Sequence, residues 1–234
     1  AAWRSAFGRR PADLMVDTGM NRLGLALSDL GATADLVVDT VHSHLACADE
    51  PGHPLTARQL ARFREVVAAT GGARHALANS AGVCLGRDYA FDFVRVGLGL
   101  YGGVPHPQAM VRAVVRPEAR VVQVREVMAG DSVGYGATWV AARASRIAIV
   151  NLGYADGLPR ILAPALRFMA GSALLPAVGR TSMDLIAVDA TEAEVAEGDW
   201  LGLDFDLPRL AATGGMSQYE LLTGLSRRYG RIWS

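Results

Sequence analysis

The apolar positions of the first hundred residues fall into short runs separated by polar, glycine-bearing stretches. ADLMVDT (12–18) reads as a short apolar strand ending at Gly19, and DLVVDTVHSHLA (35–46) as a β-branched strand finishing in histidines. LTARQLARFREVVAA (55–69) has helical spacing, with Leu60, Phe63, Val66 and Val67 on one face. ARHALANS (73–80) and DFVRVGLGLYG (92–102) read as two further strands. Strand–helix–strand repetition of this kind implies a parallel sheet with right-handed crossovers.

From about Met110 the pattern changes. VRAVVRPEARVVQVREVMAGDSVGYG, RIAIVNLGYADG, ALLPAVGRTSMDLIAVDAT and GDWLGLDFD are β-rich and lack long intervening helices. They predict a separate, mainly antiparallel domain. The chain ends in a helix, announced by Ser217 and Glu220 of SQYE, a capping-box pattern ahead of LLTGLSRR. Loop chemistry at PHPQAM (105–110) places the boundary there, giving domains 1–108 and 109–234. A complete eight-fold β/α barrel takes roughly 250 residues. The α/β half is therefore either a smaller open sheet or the back part of a barrel.

Composition narrows the class. The 234 residues are 51% hydrophobic and 20% charged, with 23 basic and 23 acidic side chains. Zero formal net charge argues against a dedicated nucleic-acid or anionic-membrane binder. No apolar run approaches the ~18–20 residues that span a bilayer, and Cys47 and Cys84 match no metal spacing, so a cytoplasmic protein with inert thiols is expected. The chain begins Ala-Ala-Trp, which suggests a piece of something longer. All of its basic residues are arginine, so it has no lysine to form a Schiff base.

Polar groups gather at the C-terminal ends of the predicted strands, where α/β folds build sites. Arg22 follows the first strand, His44 closes the second, Asn79 and Ser80 follow the third, and Arg95 and Gly97 lie in the fourth. A lone strand-end histidine is more often a satisfied structural residue than a catalytic one, and Asn-Ser before Ala-Gly more often a turn or cap than a phosphate site. Arg95 is harder to dismiss. A guanidinium keeps its charge, so burying it in an apolar run requires an acceptor or an anion nearby. In the second half, Tyr135 stands between two glycines in GDSVGYGATW, either as turn punctuation or as a proton donor. GYADG (153–157) and GRTSMD (179–184) are glycine-bounded polar stretches at strand ends.

Together, VDTGMNRLGL, SHLACADEP, ANSAG, DFVRVGLGLYG, VGYGATW, NLGYADGLPR, VGRTSMDLIAVD and SQYELLTGLSRRYGR occur in the order seen in alanine racemases, and the chain resembles that family from about Leu14 to its C-terminus. The resemblance implies a pyridoxal 5'-phosphate (PLP)-dependent isomerase of fold-type III. Its fold would be the C-terminal part of a PLP-binding (β/α)8 TIM-like barrel followed by a mainly antiparallel β domain. The implied reaction interconverts L- and D-alanine by two-base proton transfer, supplying D-alanine for peptidoglycan in a bacterial cytoplasm. Racemisation removes the α-proton on one face and returns it on the other, so two acid/base groups must flank the substrate.

By the same resemblance Tyr135 is one of those two groups. Arg22 helps bind the substrate carboxylate, and Met183 contacts substrate through its backbone. His44 packs on the cofactor ring, Arg95 faces its pyridine nitrogen, and Ser80, Gly97 and Tyr219 meet its phosphate. Tyr154 and Asp184 have supporting roles. In the family a homodimer makes composite sites, the tyrosine of one subunit reaching the site of the other. Two departures stand out. Nothing resembles the KANAYGHG-like stretch that carries the family's Schiff-base lysine, so the chain alone is expected to be inactive. Met15 stands where many members have a lysine that supports the arginine matched by Arg22. Two other functions remain open: a broader racemase acting on serine, lysine or arginine, and a non-catalytic racemase-like binding protein.

Overall fold

Strand β1 (Ala12–Met15) is short because only Ala12 and Leu14 point into a core, and the chain turns away after it. The computed structural model describes residues 2–233, which fall into two units, 2–100 with Val104–Val111, and Tyr101–Gly103 with 112–233. The first unit opens with a short helix, α1 (Ala2–Phe7). Its sheet runs β1, β2 (Val38–His42), β3 (Arg74–Ala76), each strand parallel to the next. Helix α2 (Pro54–Ala69) crosses from β2 to β3. Leu60, Phe63 and Val66 of α2 are buried against Leu14, Val16, Val41 and Leu77, as the helical spacing predicts. Burying such side chains contributes about 1.5–3 kcal/mol each relative to leaving them in water.

The fourth expected strand does not form. Residues 92–102 lie beside the end of β3, but the bonds are isolated: Asp92 N–H to His75 O and Arg95 N–H to Ala78 O. Phe91 has a φ of 53°, which breaks the extended run before it starts. At Leu98–Tyr101 the segment tightens into a 3-10 turn, where Gly97 and Gly99 offer no side chain to pack on a sheet.

The second unit is built around a closed barrel. Its barrel strands are β4 (Glu118–Val127), β7 (Ser145–Val150), β8 (Arg167–Ala170), β9 (Ala173–Val178), β10 (Ile186–Asp189) and β11 (Trp200–Leu203). A small hairpin, β5 (Ser132–Val133) with β6 (Trp139–Val140), stands apart. The barrel order is β10-β7-β4-β11-β8-β9, with antiparallel neighbours throughout. Val121, Ala148, Val150, Phe168, Leu175, Ile186 and Leu201 fill its interior. Helix α3 (Leu207–Gly214) adds Leu207 and Leu210 to that core, and α4 (Gln218–Gly224) adds Leu221. The expected capping box is present: Ser217 Oγ accepts from Glu220 N–H, and the Glu220 carboxylate accepts from Ser217 N–H.

Candidate functional site

In the first unit the strand ends gather cations with no carboxylate partner. Arg95 is half-buried, and burial lowers its pKa from the ordinary guanidinium value. Its Nη1 donates to Ala76 O at 2.9 Å and its Nη2 to Ser43 O at 2.5 Å, so it binds the ends of β3 and β2 together. Nη2 also lies 3.4 Å from His44 Nδ1. His44 titrates below an ordinary imidazole, first because it is desolvated and then because Arg95, Arg22 and His42 are near. The ring is therefore neutral at neutral pH and presents an apolar face. Ser80 Oγ accepts from Gly97 N–H at 2.9 Å and Gly99 N–H at 3.2 Å. With two N–H groups on its lone pairs, Ser80 Oγ has its own proton as remaining hydrogen-bonding capacity.

Arg22 sits on an exposed loop whose shape is set by Asp17. The Asp17 carboxylate accepts the N–H groups of Gly19 (2.8 Å), Met20 (2.9 Å) and Asn21 (3.1 Å). These bonds, the Gly19 one foremost, hold its pKa below the usual carboxylate range. Asn21 adopts a φ of 56°, as asparagine tolerates, and the chain then presents Arg22. The order of this loop comes from Asp17, which was not among the predicted site residues.

The second unit presents its candidates outward. Tyr135 is 70% exposed, at a turn where Gly134 and Gly136 take φ values of 83° and 72°. The Arg180 guanidinium lies against Gly136, close enough that a Cβ there would be 3.2 Å from Nη1. Tyr154 and Met183 belong to two loops stitched by backbone bonds, Tyr154 N–H to Ser182 O and Ala155 N–H to Met183 O. Arg228 ties the same loops through charge, with Nε 3.3 Å from buried Asp156 and Nη1 2.7 Å from Asp184. Beside them the Tyr229 phenol is pushed up by burial and by Asp156. Tyr219 is half-exposed on α4. Arg228 and Asp156 were not among the predicted site residues; Asp156 stood within GYADG.

A short parallel β/α unit with cations at its strand ends and a closed antiparallel β barrel make this a two-domain α/β plus β protein. Residues 1–105 match the family model for the alanine racemase N-terminal domain and residues 114–233 that for its C-terminal domain. The chain belongs to the alanine racemase family. It is 46% identical over 232 residues to an alanine racemase of Cereibacter sphaeroides (strain ATCC 17029 / ATH 2.4.9), covering 97% of this chain and 66% of that protein. An alanine racemase of Rhizobium meliloti (strain 1021) is 45% identical over 253 residues, with the same coverage of both chains. The chain thus spans just under two thirds of the length of these curated relatives. Among solved structures, the alanine racemase of Bartonella henselae with covalently bound pyridoxal phosphate superposes with a TM-score of 0.87 at 36% identity, covering 99% of this chain and 68% of that one. That of Streptomyces coelicolor A3(2) gives 0.88 at 30%, with 99% and 68% covered.

The donor set of the first unit fits pyridoxal phosphate at two ends. Ser80 has a hydroxyl proton to offer a phosphate, and Arg95 has a guanidinium free of any carboxylate to offer a ring nitrogen. The covalent end is different, because none of the 234 residues is a lysine.

Proposed function

We propose that this chain is the part of an alanine racemase that holds the ring and phosphate of pyridoxal phosphate and supplies one of the two proton-transfer groups. The observation that carries the reading is Arg95, a half-buried cation bound to two strand-end carbonyls and beside a neutral His44, within an alanine racemase family chain. Pyridoxal phosphate, when bound, supplies the electron sink that makes the α-proton of alanine removable. The other steps fall to side chains. Ser80, with the Gly97 backbone that it engages, would hold the phosphate, and His44 would pack on the ring. A guanidinium does not give up its proton, so Arg95 would hydrogen-bond the ring nitrogen without protonating it, which would favour proton exchange over transamination. Arg22 would take the substrate carboxylate, and Met183 is assigned a backbone contact to substrate by family resemblance alone. The Tyr135 phenol holds or delivers the proton on one face, with cationic neighbours needed to bring a group of pKa about 10 into use.

Tyr154 and Asp184 support that side, their loops fixed by Arg228 and Asp156. The second base is the lysine that this chain lacks. Tyr135 points outward, so we assign it to a site completed by a second subunit of a homodimer. No helix among the described residues is long and apolar enough to cross a membrane, which suits an enzyme of the bacterial cytoplasm.

The test joins this chain to the third of the Cereibacter sphaeroides relative that it does not cover. The chimera is expected to form D-alanine from L-alanine, with Tyr135→Phe lowering kcat about 100-fold or more. L-Serine is expected to react about tenfold or more slowly. A folded, cofactor-loaded chimera that forms no D-alanine, or is indifferent to Tyr135→Phe, would overturn the proposal.

A further inference from the structure

Helix α2 carries a polar stripe as well as its apolar one, buried at Thr56 and Gln59 and exposed at Arg62. Thr56, Gln59 and Arg62 follow one another at intervals of three, and each reaches a loop beyond a strand end. Thr56 Oγ1 donates to Cys47 O at 3.0 Å, and Arg62 Nη1 to Thr18 O at 3.2 Å. Gln59, between them, is wholly buried. Its Oε1 accepts from Ala46 N–H at 2.9 Å; its Nε2 donates to His44 O at 2.8 Å and to Thr18 Oγ1 at 3.3 Å. Both amide protons and one acceptor position are therefore in use. Thr18 Oγ1 lies 2.7 Å from Ser43 Oγ, and Ser43 O receives Arg95. A continuous line of hydrogen bonds runs from the helix to the ends of β1 and β2 and, through Arg95 and Ala76, to β3.

A buried amide left without its partners is costly, so Gln59 is accommodated on this face only with its bonds made. Here those bonds set distances between loops. The β1 loop carries Arg22, the β2 loop carries His44, and Arg95 is bound to the β2 and β3 ends. We infer that Gln59 is a positioning residue, whose side-chain amide fixes the separation of the loops bearing Arg22, His44 and Arg95. This inference rests on the proposed assignment of those three groups to the site. Gln59 reaches none of their side-chain functional atoms and works through backbone and Thr18.

The test needs neither cofactor nor activity, so its failure leaves the racemase proposal standing, and failure of that proposal leaves this geometry standing. Gln59→Met keeps length and apolar volume and removes every polar atom. Gln59→Glu keeps the acceptor for Ala46 N–H and, when ionised, removes both donors. Amide exchange at Ala46 is expected to speed up about tenfold or more in Gln59→Met and to stay near wild type in Gln59→Glu. The His44 imidazole, followed by NMR, is expected to titrate at higher pH in both variants, because the ring loses its fixed place beside Arg95. It should move further in Gln59→Glu, whose carboxylate joins Arg95, Arg22 and His42 around it. The His75 resonances, on β3, report whether the unit is folded. Should Gln59→Met not fold, the His44 titration in Gln59→Glu decides alone. Unchanged Ala46 exchange and an unchanged His44 midpoint in a folded Gln59→Met would show that Gln59 only fills space, and would overturn the inference. So would an unchanged midpoint in Gln59→Glu.

Discussion

Asp17 accepts three successive backbone N–H groups, and those bonds give the loop of Arg22 its shape. They also give it a pH dependence. A carboxyl held low by native contacts contributes stability that is fully present above its unfolded value of about 4. That stability is lost as pH falls through the lower native value. Asp17→Asn is therefore expected to be less stable than wild type at pH 7. Urea unfolding curves should converge as the pH is taken below about 4. A stability difference that stays constant across that range would contradict the role given to Asp17. At this scale the sequence was half legible. Arg95 announced itself as a charge in an apolar run, and Tyr135 by its flanking glycines. Asp17 and Gln59 did not, because their work is done on backbone atoms, and which backbone lies within reach is decided by the fold. Arg228 escaped notice for a similar reason, since its two carboxylates lie far back along the chain.

Elements were legible where periodicity was long. Helix α2 and the α4 cap were readable because each is specified locally, by a buried face in one case and by Ser217 and Glu220 in the other. Helix α3 was missed although its signals are present: Asp206 caps it through Arg209 N–H, Pro208 opens it, and Gly215 closes it with a φ of 61°. The eight-residue helix sits in a segment dominated by strands, and the strand pattern hid it. Residues 92–102 were misread in the opposite sense, because an apolar run was taken for a ladder that Phe91, Gly97 and Gly99 interrupt. The GYADG turn shows what a glycine can fix. Gly157 has a φ of 98°, and a Cβ on it would fall 2.2 Å from Gly224 O at the end of α4. Ser226 N–H donates to Asp156 O at the same junction. Gly157→Ala is expected to cost about 3 kcal/mol or more in a urea melt, through backbone strain and displacement of the α4 end. A loss under about 1 kcal/mol would show that the junction yields.

At the scale of the molecule, two units solve the same packing problem differently. The second closes its sheet into a barrel and leaves no free edge in it, while the first is an open three-stranded sheet held at its strand ends by Arg95 and Gln59. The change from alternating strands and helices to strands alone was plain in the sequence, as was the absence of lysine. The closure and order of the barrel were not, since pairing partners lie far apart in sequence. The account makes the chain a holder of pyridoxal phosphate without a covalent anchor. The direct test is equilibrium dialysis of pyridoxal phosphate against the chain and two arginine variants. Saturable one-to-one binding is expected for wild type and Arg22→Ala, which keeps every ring and phosphate contact. Arg95→Ala is expected to bind about tenfold or more weakly. Absence of saturable binding, or equal affinity in Arg95→Ala, would contradict the account.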